Sequence, residues 1–146
     1  METMNILGVD PSTKTGLVLL HGNRGPKPVL VLEKQVKTPE RGLNLGSVVA
    51  GEILDIVANH SVDVVTIEGY AAYGSHIIQA VELGTIIRYF MLQEGIKYLE
   101  VPPTSLKKFV TGKGNAKKDL ILKEVLKRFD YDTEIDDLAD AYGLAA

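Results

Sequence analysis

The chain has 146 residues, 45% of them hydrophobic and 24% charged, a size and balance suited to one globular domain with a buried core. It lacks cysteine, which excludes disulfides and thiolate metal ligands, and its net charge of −3 gives no general attraction for nucleic acid. No apolar run approaches the roughly 20 residues of a membrane-spanning helix, and no basic segment leads into an apolar core as in a signal peptide, so a cytosolic protein without membrane contact is expected.

Met4 to Val9 is a short apolar run suited to a buried strand, and it ends on Asp10. Pro11-Ser12-Thr13 is turn chemistry, after which Gly16 to Leu20 and Val29 to Val36 read as two further strands. Leu43 to Asn59 repeats apolar residues at helical spacing, and Val62 to Ile67 is a strand with Glu68 at its end. From His76 to Gln93 the apolar residues, among them Ile77, Ile78, Val81 and Ile87, predict a largely buried helix. Ile96 to Val101 is a fifth strand, stopped by Pro102-Pro103, and Thr104 or Ser105 is placed to cap a short helix reaching Val110. A lysine-rich helix over Ala116 to Arg128 and a last helix over Glu134 to Ala146 complete the chain. The expectation is a single α/β domain over residues 1–146, with a five-stranded mixed sheet flanked by helices: three antiparallel strands first, then two parallel ones.

Asp10 and Glu68 each follow an apolar strand, at the edge of the core where sites gather in such sheets. A buried carboxylate persists only when paired, hydrogen-bonded or bound to a metal. In the last helix Asp137 and Asp140 are three apart, on one face, where a shared cation would offset their repulsion. Taken singly, each has an ordinary explanation: a turn residue, the start of a loop, or acids near a positive helix end. Taken together, four carboxylates suit Mg²⁺ or Mn²⁺, and two such ions about 4 Å apart can drive phosphodiester hydrolysis.

The charge is unevenly distributed. The segment Thr104 to Arg128 carries +6, leaving −9 on the remainder. It serves either as a solvated helix surface or as a limited phosphate-binding face that compensates the carboxylates. His21, His60 and His76 are scattered and read as loop or surface residues rather than ligands.

In order, these segments resemble the RuvC family of Holliday junction resolvases, which have a ribonuclease H-like fold. Gly8-Val9-Asp10-Pro11-Ser12-Thr13 looks like its first strand and turn, and Val64-Val65-Thr66-Ile67-Glu68 like its fourth strand. The lysine-bearing run from Val101 to Leu120 and the terminal Asp137-Leu138-Ala139-Asp140-Ala141 also match. The resemblance implies a homodimeric endonuclease that places paired symmetric nicks in four-way DNA junctions, in the cytoplasm of a bacterial or phage-infected cell. Carried over, it makes Asp10, Glu68, Asp137 and Asp140 ligands of Mg²⁺ or Mn²⁺, two ions per site, with Lys107 and Lys118 catalytic and in contact with the scissile phosphate. Lys108, Lys113 and Lys117 are added as DNA contacts on charge and proximity. The family places a glutamine and then an aromatic after its catalytic glutamate, whereas this chain has Gly69-Tyr70-Ala71-Ala72-Tyr73, so Tyr70 or Tyr73 is the candidate for stacking on bases. That departure admits an alternative, a broader structure-selective nuclease cutting flaps and forks. The helix from His76 to Gln93 is the candidate dimer interface. A looser similarity of Gly8 to Ser12 to the phosphate loop of actin-like kinases implies a duplicated domain, for which 146 residues leave no room.

Overall fold

The structure, a computed structural model, describes residues 3–22, 28–70 and 77–146, apart from the Asp136 side chain. Runs rich in apolar residues build β1 (Met4–Asp10), β2 (Gly16–Gly22) and β3 (Val29–Gln35) as an antiparallel meander, in which Leu7 faces Leu19. Helix α1 (Gly42–His60) then crosses to β4 (Val64–Glu68), which pairs parallel to β1. Helix α2 (Ile77–Gln93) crosses to β5 (Tyr98–Val101), parallel to β4. The sheet order is β3-β2-β1-β4-β5, a mixed sheet with three antiparallel strands and then two parallel ones, as expected. Three further helices follow: α3 (Pro103–Thr111), α4 (Lys118–Phe129) and α5 (Asp136–Ala145).

Because side chains alternate across a strand, the sheet feeds two cores. Leu7, Val9, Leu17, Leu19, Val65 and Ile67 pack with α1 and α2 on one face. Val18 and Leu20 point the other way, into a second core with α3, α4 and α5. Helix α5 comes close to β1 and β2 because both surfaces are pared down. Ala139, Ala141 and Ala145 are buried on it beside Leu138, Tyr142 and Leu144, and Gly8 and Gly16 lie opposite its backbone. A Cβ on Gly8 would overlap the Ala141 carbonyl oxygen and stand 2.8 Å from Ala145 N, and one on Gly16 would overlap the Asp137 carbonyl.

Three expectations need correction. Helix α2 is not largely buried: Leu83, Ile87 and Met91 face the core, while Ile77, Ile78 and Val81 are exposed, Ile78 by 77%. Its apolar residues run round more of the helix than the sheet can cover. Helix α3 starts at Pro103, whose fixed φ suits a first turn, with Pro102 as cap and no capping bond from Thr104 or Ser105. Strand β5 begins at Tyr98, since Ile96 still donates to the Met91 carbonyl and closes α2.

Candidate active site

The register that pairs Val9 with Ile67 sets the next residues, Asp10 and Glu68, side by side at the carboxyl ends of adjacent strands. Leu7, Val9, Val65 and Ile67 point into the α1–α2 core, so alternation turns Asp10 and Glu68 towards the α5 side. There the first turns of α5 present Asp137 and Asp140. Carboxylate oxygens of Asp10, Glu68 and Asp140 all lie within 4.8 Å of one another. Asp137 stands beside this trio, hydrogen-bonded through its side chain to Asp10. Four acids, separated by as many as 130 positions, therefore converge as the sequence pattern anticipated.

The electrostatics of the cluster are strained. Asp10 is 7% exposed, and burial first, then the charges of Glu68, Asp140 and Asp137, push its carboxyl well above the usual carboxylate range. Burial also raises Glu68, opposed by a hydrogen bond from Asp10 and by the charges of Lys107 and Lys118. Lys107 on α3 and Lys118 at the start of α4 thus reach the field of the cluster, which separates them from the rest of the basic segment. Lys108 in α3, Lys113 in the loop that follows and Lys117 at the cap of α4 are exposed.

The residues fit a hard divalent cation. The donors are carboxylate oxygens alone, and the like charges that raise Asp10 and Glu68 are what a bound cation would relieve. The family model for crossover junction endodeoxyribonuclease RuvC matches residues 6–146. The chain belongs to the RuvC family. A crossover junction endodeoxyribonuclease RuvC from Wolinella succinogenes is 32% identical over 148 residues, spanning 97% of this chain and 91% of that protein. Among solved structures, Thermus thermophilus RuvC in complex with Holliday junction substrate aligns with a TM-score of 0.81 at 21% identity, over 97% of this chain and 90% of that one. A fowlpox virus resolvase bound to Holliday junction DNA aligns at 0.58 and 18%, over 96% and 94%. The RuvC likeness places the sheet and its helices in the ribonuclease H-like fold expected from the sequence.

The aromatic candidates divide. Tyr73, like His76, lies outside the described residues. Tyr70 is no core residue: it is 42% exposed, its ring lies over the Arg88 guanidinium, and its hydroxyl bonds the Thr85 hydroxyl at 2.8 Å. Of the histidines, His21 sits in β2 rather than a loop, with its Nδ1 2.6 Å from Asn5 Oδ1. His60 ends α1, and its carbonyl accepts from the Asn5 side chain near the start of β1, at the opposite end of that strand from Asp10. Sequence reasoning missed Arg88. The available signal was a lone cation between Ile87 and Tyr89 on the face that the core demands.

Proposed function

We propose that this chain, acting as one nuclease domain, resolves Holliday junctions by paired symmetric nicks, one from each subunit of a homodimer. The convergence of Asp10, Glu68 and Asp140 within 4.8 Å, with Asp137 bonded to Asp10, carries this reading. Those four residues would hold Mg²⁺ or Mn²⁺, two ions per site. When bound, the ions supply activation of water and neutralisation of charge on the phosphodiester oxygens.

The protein's own residues do the rest. Lys107 and Lys118, whose charges reach Glu68, hold the scissile phosphate against the acidic cluster. Lys108, Lys113 and Lys117 bind flanking phosphates and fix register without reading sequence. Tyr70 offers an exposed ring on which an unpaired base can stack, with a value of about 1–3 kcal/mol. Burial of Asp10 keeps water off one side of the cluster, so its carboxylate is oriented before DNA arrives.

The exposed stripe on α2 supports the dimer. Ile78, Val81, Tyr89 and Leu92 recur at helical spacing on the side turned away from the core. A two-fold interface there would bury them and give two equivalent sites for two opposed strands. Among the described residues no helix is long and apolar enough to cross a membrane, which agrees with work in the cytoplasm.

The test is cleavage of a labelled four-way junction in Mg²⁺ or Mn²⁺ beside a flap and a linear duplex, with nick positions mapped. Paired symmetric nicks confined to the junction are expected. Equal rates on the flap would favour a broader branch nuclease, the reading suggested by Gly69-Tyr70 after Glu68. No cutting of any substrate would reject nuclease function.

A further inference from the structure

Arg88 is a cation buried on a helix whose other inward residues are apolar, with 9% of its surface exposed. Its Nε donates to Glu100 Oε1 at 2.6 Å, one terminal nitrogen to the Gly84 carbonyl at 3.0 Å, and the other to the Glu68 carbonyl at 3.2 Å. The guanidinium carbon also lies 4.3 Å from the centroid of the Tyr70 ring. A Cβ on Gly84 would stand 2.6 Å from the Arg88 terminal nitrogen and 2.9 Å from Tyr70 Cε1. The stack therefore exists because residue 84 has no side chain. Gly84, Thr85 and Arg88, on one turn of α2, together make a seat for Tyr70. Arg88, Tyr70 and Gly84 also line a cavity of about 170 Å³ that opens on Glu68 and Pro11.

An ion pair with Glu100 does not require this burial. Glu100 is half exposed, and an arginine could meet it from the surface at less desolvation cost. What burial adds is contact with the Glu68 carbonyl and the Tyr70 ring. Only a planar fork can make these contacts at once, and a lysine ammonium would satisfy one acceptor at a time.

We propose that Arg88 is a positioning residue of the nuclease site. Through the Glu68 carbonyl it fixes the strand end that aims the Glu68 carboxylate, and through its stack it holds Tyr70 as a rigid face for an unpaired base of branched DNA. The DNA half rests on the function proposed above. The seat itself can be tested on the protein alone.

The chain has no tryptophan, so Tyr70→Trp supplies a lone fluorescent reporter. In that background Arg88→Met and Arg88→Lys are compared by acrylamide quenching, by calorimetric Mg²⁺ binding without DNA, and by nicking at saturating junction. Melting curves check that each variant is folded. Arg88→Met should expose the tryptophan to quencher, and should weaken Mg²⁺ binding and slow nicking by about tenfold each. Arg88→Lys should fall between it and the parent. Thr85→Val, made in the Tyr70 protein where it removes the hydroxyl bonded to the Tyr70 hydroxyl, should weaken junction affinity while leaving Mg²⁺ binding unchanged.

If folded Arg88→Met quenches like the parent, and binds Mg²⁺ and nicks within about twofold of it, Arg88 is a structural ion pair only and the proposal fails. Should Arg88→Met not fold, Arg88→Lys with the parent's Mg²⁺ affinity and quenching would overturn it equally. If the parent nicks no branched DNA, the functional reading fails, and the Mg²⁺ and quenching comparisons still decide the role of Arg88.

Discussion

The two faces of the sheet bury the same kinds of side chain but hold their helices by different means. Between α1 and α2, side chain meets side chain or small backbone: Gly46 of α1 accommodates Ile86, whose methyl would stand 2.6 Å from an added Cβ. Between the sheet and α5, backbone meets backbone, with Gly8 under the Ala141 carbonyl and Gly16 under that of Asp137. A side chain can turn to another rotamer, whereas a helix backbone moves as a body. The α5 face is thus the less tolerant of the two, and it is the one that carries Asp137 and Asp140. The place of the helical acids depends on two missing Cβ atoms in the strands below.

The largest effect should come from the acid on which the strand and helix carboxylates converge. Asp10→Asn should reduce nicking by well over about 100-fold, beyond the loss usual for residues that only support a metal ligand. Junction binding, measured by gel shift, should persist because the lysines are untouched. Full activity in this variant would remove the acidic cluster from the chemistry.

The next effect breaks the comparison directly. Gly8→Ala should destabilise the fold by about 2–3 kcal/mol in denaturant titration and lower nicking per folded molecule, since α5 must shift. Gly46→Ala, on the other face, gains about 0.5–1 kcal/mol from helix propensity and loses about 1–2 kcal/mol to Ile86, whose Cβ would stand 2.8 Å from the new methyl. Its stability should lie within about 1 kcal/mol of the parent, with nicking unchanged. Equal costs at the two glycines would erase the distinction between the faces.

A smaller effect concerns pH and metal. Asp10 and Glu68 hold protons more tightly when folded than at their ordinary values of 3.8 and 4.5. Below that range both folded and unfolded chains are protonated, and the stability from this difference is complete. As pH rises the unfolded chain releases its protons first, so metal-free stability should fall, by up to about 1.4 kcal/mol for each unit that separates the two pKa values. The loss should continue until the folded carboxyls ionise. Melting curves in EDTA should show this decline from pH 4 upward, and Mg²⁺ should flatten it. A metal-free melting temperature that rises over the same interval would contradict the burial of these acids.

Much of the fold was legible because the strands announce themselves. Met4 to Asp10 and Val64 to Glu68 are apolar runs ending on acids, and their parallel pairing follows once a helix separates them. The site was legible for the same reason, since strand ends and one helix turn bring four acids together without long loops. What stayed hidden depends on tertiary neighbours. Ile78 and Val81 fit a buried helix by composition, and only the sheet's width decides that they face outward. Arg88 has no evident role until the Glu68 carbonyl and the Tyr70 ring are placed around it. The helix-capping expectation at Thr104 and Ser105 failed because Pro103 already supplies the first-turn geometry that a capping side chain would otherwise reinforce.

The smallest effects should belong to the lysines, and they sharpen the distinction between residues near the cluster and those beyond it. Each lysine that neutralises a phosphate steepens the fall of log K with log salt by about 0.9 on duplex arms. Lys108→Gln and Lys113→Gln should each reduce that slope by about this amount, weakening junction and duplex binding alike, with little change in nicking at saturating DNA. Lys107→Gln and Lys118→Gln should lose a comparable slope and also lower the saturated nicking rate, because their charges act on Glu68 as well as on DNA. The expected contrast is therefore one of kind: two lysines that alter affinity alone, and two that alter affinity and rate. If all four lowered the saturated rate equally, the basic segment would act as one electrostatic surface, and the assignment of Lys107 and Lys118 to the scissile phosphate would be lost.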